Sequence, residues 1–214
     1  MTPLPTQNAT LMRAVKDALN PFNYVRGCDS MDGRKQKRAL AKIGQELDSG
    51  GNPSICDSEL NFHATTPIIV ASGHRNFEIL ALLLASPLAD VNIVDSKGNT
   101  ALLVAARNAH PRNIKALLDA GANAEVQNAD GMTPLMLAIS SELYESCALL
   151  ARRACWDWVD ADNSGTTLRE LAVDASKRLG MGNIMHLLTS IMDERALLES
   201  CPFSSQELLK RRSL

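Results

Sequence analysis

Apolar residues along this chain come in short, regularly spaced phrases, not in long amphipathic helices or in strands that alternate residue by residue. Paired leucines recur at Leu82-Leu83, Leu117-Leu118, Leu149-Leu150 and Leu187-Leu188. They fit the inward stripe of a helix of about 10 residues. Ahead of each pair lies a second apolar phrase of small and branched residues, such as Ile68-Ile69-Val70-Ala71 and Leu102-Leu103-Val104-Ala105-Ala106. The pattern predicts short helices in pairs: one at about 67–74 followed by one at about 77–85, and near the N-terminus Ala9 to Leu19, capped by Asn8, then Arg34 to Leu47. A last helix is expected over Asn183 to Ser190, prolonged by Asp193 to Ser200. Residues 1–7, rich in Pro and Thr, are expected to be disordered.

The phrases share a phase. Gly98-Asn99-Thr100-Ala101-Leu102 and Gly131-Met132-Thr133-Pro134-Leu135 match position for position, with Thr100 and Thr133 standing 33 residues apart. Thr66-Pro67-Ile68 precedes them by 34 residues and Gly165-Thr166-Thr167-Leu168 follows by 34. Two segments hold the extra residue behind the longer spacings, around Ser86-Pro87-Leu88-Ala89 and around Cys155-Trp156-Asp157. A Gly-x-Thr-Pro-Leu phrase at this period resembles the ankyrin repeat. That resemblance implies an all-α solenoid of helix-turn-helix repeats joined by β-hairpin-like fingers, about five repeats with divergent ends. The boundaries read as an N-terminal cap over 8–57 with a loop insertion at 20–33, repeats near 58–94, 95–127, 128–161 and 162–192, and a C-terminal extension over 193–214. Each unit alone leaves apolar faces open, and stacking on its neighbours closes them.

Composition narrows the function without naming it. The formal net charge of −2 gives no overall field that would favour nucleic acid, and aromatics are only 4% of residues. No apolar run is long enough to span a bilayer, and the N-terminus has no basic and apolar leader. Five cysteines, none at CxxC spacing, point to a reducing compartment and to no disulfide framework. Cys147 falls where the array wants a small buried residue. A cytosolic protein is expected, with the nucleus, or a host cell's cytosol for a delivered bacterial protein, left open.

Candidate chemistry is sparse. Asp160-Ala161-Asp162-Asn163-Ser164-Gly165 opens like a calcium-binding loop, but the twelfth position is Leu171 where a Glu is required. The histidines His63, His74, His110 and His186 have no metal-binding spacing, and His110 is expected to bond backbone in its turn. No phosphate-binding glycine loop or nucleophile motif is present. We therefore expect no enzyme, cofactor, metal or small-molecule substrate. Arg34, Lys35, Lys37, Arg38 and Lys42 form a basic cluster that is either a solvated face or a contact for an acidic partner, an import signal or nucleic acid.

What the resemblance implies for function is a monomeric protein-binding scaffold or adaptor, its partner lying on the finger tips and the first-helix face. Carried over residue by residue, that surface is His63, Thr65 and His74; Ser96, Lys97, Asn99, Arg107 and Asn108; and Ala129, Asp130, Met132, Ser140 and Ser141. Leu102, Ala105, Leu135 and Ala138 fall on the scaffold side. Trp156, the extra residue of its segment, has no core slot reserved and is either an exposed anchor, as which it joins the candidates, or a filler where two repeats fit poorly, whereas Trp158, in register with Val91 and Ala124, is expected inside. Two alternatives stand beside this one: an adaptor or host-delivered effector acting through the 20–33 insertion and the tail, and a nuclear regulator using the basic cluster at 34–42 and a second one, Lys210-Arg211-Arg212.

Overall fold

Threonine sets the start of each first helix. The Oγ1 atoms of Thr66, Thr100 and Thr133 each accept the backbone N–H three residues on, from Ile69, Leu103 and Met136, all at 3.3 Å. This satisfies one of the donors that a helix start leaves without a partner. At Thr167 the arrangement is reciprocal, a capping box: Thr167 Oγ1 accepts from Glu170 N–H, and Glu170 Oε2 accepts from Thr167 N–H at 2.8 Å. Pro67 and Pro134 follow their caps at the first helical turn, where no N–H is needed.

The structure, a computed structural model, describes residues 5–19, 33–55, 65–141, 144–179 and 183–199. Among these are ten helices: α1 (Pro5–Ala18), α2 (Gly33–Asp48), α3 (Pro67–Ser72), α4 (Phe77–Leu84), α5 (Ala101–Arg107), α6 (Pro111–Asp119), α7 (Pro134–Ser140), α8 (Tyr144–Arg153), α9 (Leu168–Leu179) and α10 (Asn183–Glu199). They form two layers. The odd-numbered helices pack in sequence, α1 on α3, α3 on α5, α5 on α7 and α7 on α9. The even-numbered helices do the same from α2 to α10, and each odd helix also packs on the even helix that follows it. One core runs between the layers, from Leu11 and Ile43 through Leu80, Leu102, Ile114 and Leu135 to Leu150, Leu168 and Leu188. Each such side chain, fully buried, contributes about 1.5–3 kcal/mol.

The all-α repeat stack is as expected, and the ends refine the expectation. α1 begins at Pro5, so residues 5–7 are helical and Asn8 lies inside the helix instead of capping it. Asn8 is 5% exposed, and its Oδ1 accepts Asn52 N–H at 3.0 Å, tying the first helix to the loop that follows α2. At the other end α10 continues through residue 199 without a break at 192. The loop insertion (its residues 20–32), His63 and the tail from residue 200 lie outside the described residues.

The fingers between helix pairs are not a sheet. Among the described residues the only strand-like pairing is one isolated bridge between Ala161 and Thr167. Gly98, Gly131 and Gly165 turn them with φ of 71°, 77° and 82°, a conformation a side chain would strain.

Candidate functional site

The finger is built on an acidic or amide side chain at its base. Asp95 Oδ1 accepts N–H groups from Lys97 and Asn99, both at 2.8 Å. Asn128 Oδ1 does the same for Asp130 and Met132 at 3.0 and 2.9 Å, and Asp162 Oδ1 for Ser164 and Thr166, both at 2.9 Å. One residue thus fixes each turn through two backbone donors. The Ser164 hydroxyl, which donates to Asp162 Oδ1 at 2.7 Å, and then these backbone N–H groups hold the Asp162 carboxyl below its usual range. The backbone bonds also account for the calcium-loop spelling of residues 160–165 by the chain's own N–H groups. Among the described residues no group of three His, Cys, Asp or Glu side chains is placed to hold a metal.

Adjacent fingers are chained tip to tip through backbone. Ala129 N–H donates to Lys97 C=O at 3.1 Å, and Asn163 N–H donates to Asp130 C=O at 3.0 Å. Asn163 Nδ2 adds a bond to Ala129 C=O at 2.8 Å. These bonds set Lys97, Ala129 and Asp130 side by side, all three exposed. Among the described residues no side-chain bond involves Lys97.

Several expected contact residues turn out to hold the scaffold. Asn99 is 3% exposed; its Nδ2 donates to the Asp95 carboxylate at 3.1–3.2 Å, and its Oδ1 accepts Arg107 Nη2 at 2.9 Å. Asn99 is therefore removed from the contact set, and Arg107, although exposed, anchors the finger base. Exposed Asn108 reaches back one repeat, its Nδ2 donating to Gly73 C=O at 2.9 Å. Ser141, half-buried, donates to Ala106 and Arg107 carbonyls at 3.2 and 2.9 Å. Met132 is half-buried and packs on the core. Ser140 is exposed and bonds only within its helix, to Met136 C=O. Ser96 is exposed, Thr65 and His74 half-buried.

Of the two tryptophans, Trp156 is the more deeply buried. Trp156 is 8% exposed, and its Nε1 donates to Ala151 C=O at 2.9 Å. Arg195 of α10 lies 5.8 Å from the Trp156 ring centroid and also donates to the Ala151 and Ala154 carbonyls. The extra residue folds the ring back over the end of α8 as a wedge under the last helix. Trp158 is the half-buried one, its ring edge-on to Trp156 at 5.4 Å. Of the two readings of Trp156, the burial fits the gap filler and removes the exposed anchor.

Between helix pairs, the turn at Ser72–His74 is an acceptor cluster for the next repeat. Asn113, 1% exposed, donates through Nδ2 to Ser72 C=O at 3.0 Å and His74 C=O at 2.7 Å. His110 Nε2 lies 3.2 Å from Gly73 C=O, so His110 does bond backbone, but in the neighbouring repeat. Burial lowers the pKa of both His74 and His110; each is pushed further by positive charge, His74 by His110 and His110 by Arg75. Cys147 is fully buried as expected, and burial pushes its thiol up to about 12.

The family model described as ankyrin repeats (three copies) matches residues 39–128, 68–159 and 102–191. The chain is 42% identical over 59 residues to a Caenorhabditis elegans homolog of transient receptor potential cation channel subfamily A member 1, covering 28% of this chain and 5% of that protein. It is 32% identical over 114 residues to human B-cell lymphoma 3 protein, covering 51% and 23%. To Regulatory protein NPR6 of Arabidopsis thaliana it is 34% identical over 103 residues, covering 48% and 21%. The matched part spans less than a quarter of each of these relatives.

Proposed function

The chain belongs to the ankyrin repeat family, and from that premise we propose that it is a non-enzymatic scaffold holding a folded protein partner against its finger turns. Repeats of this family generally mediate protein–protein interaction. The observation that carries the reading is the division between tied and untied groups along the finger edge. Backbone at each turn is consumed by Asp95, Asn128 and Asp162 and by the tip-to-tip bonds, while the side chains of Lys97 and Ala129 project without a scaffold bond and the exposed Asp130 carboxylate accepts only one long bond, from Asn128 Nδ2 at 3.4 Å. The contact set is accordingly Lys97, Ala129 and Asp130, extended by Ser96, Ser140 and the outer edge of Arg107. Cytosolic placement belongs to the same proposal and rests on cysteine usage. Among the described residues, no helix is long and apolar enough to cross a membrane.

The test is affinity capture from cytosol with the intact chain and with Lys97→Glu/Asp130→Lys, whose exposed side chains can reverse charge without touching the core. We expect loss of a specifically retained protein by at least about 10-fold, the size of a desolvated rim-to-core contact, with an unchanged thermal midpoint. Equal retention by both proteins would remove the finger assignment.

A further inference from the structure

A second surface lies on α2, in the outer layer and away from the fingers. Its inward face is spoken for: Ile43 is fully buried, and Ala39, Leu40 and Leu47 pack against the core. Its outward face carries Lys37, Arg38 and Lys42, all exposed, and Arg34 and Lys35 precede them in the sequence of the helix. Over 34–42 the helix rises about 12 Å and contains five cations and no acid. Counting Asp29 and Asp32 just upstream still leaves the segment at +3.

Two carboxylates that touch α1, α2 and α4 side chains accept hydrogen bonds from neutral groups. Glu46 accepts Thr10 Oγ1 at 2.6 Å, and Glu78 of α4 accepts the Gln36 side-chain amide. Among the described residues none of Lys37, Arg38 and Lys42 makes an ion pair. The first turn of α2 has no acidic residue either, so these cations gather at the helix end where the dipole opposes them. Like charges on successive turns repel one another as well. Among the described residues no ion pair offsets this arrangement for Lys37, Arg38 or Lys42, and an external anion would.

We propose that the outward face of α2 docks an acidic segment of a partner protein, independently of the finger surface. Charge complementarity argues for the class: carboxylates repeating along a peptide meet cations repeating at one helical turn. The apolar side of α2 is used up by the core, so no hydrophobic face remains to enter a bilayer. The exposed residues between and beyond the cations in α2 are Ala41, Gln45 and, at its last position, Asp48, none of which offers a ring for stacking bases.

The experiment is fluorescence anisotropy on the full chain with a fluorescein-labelled oligoglutamate peptide. Vesicles of equimolar phosphatidylcholine and phosphatidylserine and a labelled random-sequence DNA duplex are run in parallel. Lys37→Glu/Arg38→Glu/Lys42→Glu is expected to weaken peptide binding by about 30-fold. The charge-matched control Arg112→Glu/Lys115→Glu/Arg152→Glu, on exposed positions of α6 and α8, is expected to stay within about threefold. The triple Gln variant at 37, 38 and 42 gives an intermediate loss and covers the case in which the triple Glu protein fails to fold. Lys97→Glu/Asp130→Lys binds the peptide normally, so failure of the finger reading and failure of this one are separable. Absent peptide binding, equal losses in the α2 and control variants, or tighter binding to vesicles or DNA than to peptide would each overturn the proposal.

Discussion

Asn113→Ala removes the side chain that joins the second helix pair to the third. Asn113 is 1% exposed and its amide bridges two carbonyls of the preceding turn, Ser72 at 3.0 Å and His74 at 2.7 Å. Each net hydrogen bond is worth about 1 kcal/mol, and the Ser72 carbonyl, left dry among buried residues, adds a further ~1–2 kcal/mol. His74 is half-exposed, so water can replace its lost donor at little cost. The expected loss is therefore about 3 kcal/mol, which for a chain of this size lowers the thermal midpoint by about 6–12 °C. Because a repeat stack is stabilised by nearest-neighbour interfaces, the loss is also local. Both tryptophans sit at the C-terminal end, so in urea their fluorescence should report a later transition than far-UV circular dichroism, which sees all ten described helices. Ser146 provides the mirror case. It stands 33 residues after Asn113, fully buried, with an Oγ that has no hydrogen-bond partner. Ser146→Asn should reach the equivalent carbonyls one repeat on and raise stability by about 1 kcal/mol. A loss under about 1 kcal/mol for Asn113→Ala with coincident transitions, or clear destabilisation by Ser146→Asn, would refute the register argument.

Two further outcomes are expected. His74 and His110 have folded pKa values depressed mainly by burial, so the unfolded chain takes up protons first as pH drops below about 6.5. Stability contributed by the neutral rings is complete above that value and is lost as pH falls through the lower folded values; thermal melts between about pH 7.5 and about 5.5 should fall in the parent and flatten in His74→Gln/His110→Gln. Ala109 sits at φ 57° between α5 and α6, so Ala109→Gly should stabilise by about 0.5–1 kcal/mol. Gly131→Ala should cost more than that, because its φ is 77° and a Cβ there would lie 2.6 Å from Asn163 N; urea denaturation of both variants checks the signs.

The sequence carried the helix pairs because their determinants are local. A threonine cap, a proline in the first turn and a glycine closing the finger lie within a few residues of one another, and their phase repeats. The Asx residue at each finger base, at 95, 128 and 162, repeats with the same phase and could have been found the same way. It went unread because Asp, Asn and Asp are different letters for one hydrogen-bonding job. The expected contact set was less legible. Asn99, Asn108 and Ser141 look like solvent-facing polar residues in a one-dimensional string, yet Asn108 and Ser141 bond carbonyls 34 or 35 positions away and Asn99 is shielded between its own turn and Arg107. The role of Trp156 stayed open for a related reason. Register arithmetic assigns an inserted residue no slot, whereas the fold used the insertion to swing the indole onto Ala151 and beneath Arg195.

The tip-to-tip bonding of the fingers has a consequence for how this protein can change. Lys97, Ala129 and Asp130 contribute main-chain atoms to that rail, and the turn shape beneath them is dictated by other residues. The side chains of Lys97 and Ala129 can be exchanged one at a time, with charge and size free to drift, and that of Asp130 at the cost of one long bond from Asn128 Nδ2, while the spacing of the tips stays put. A new binding preference can therefore arise here without a new architecture, and relatives that share the stack need share no partner.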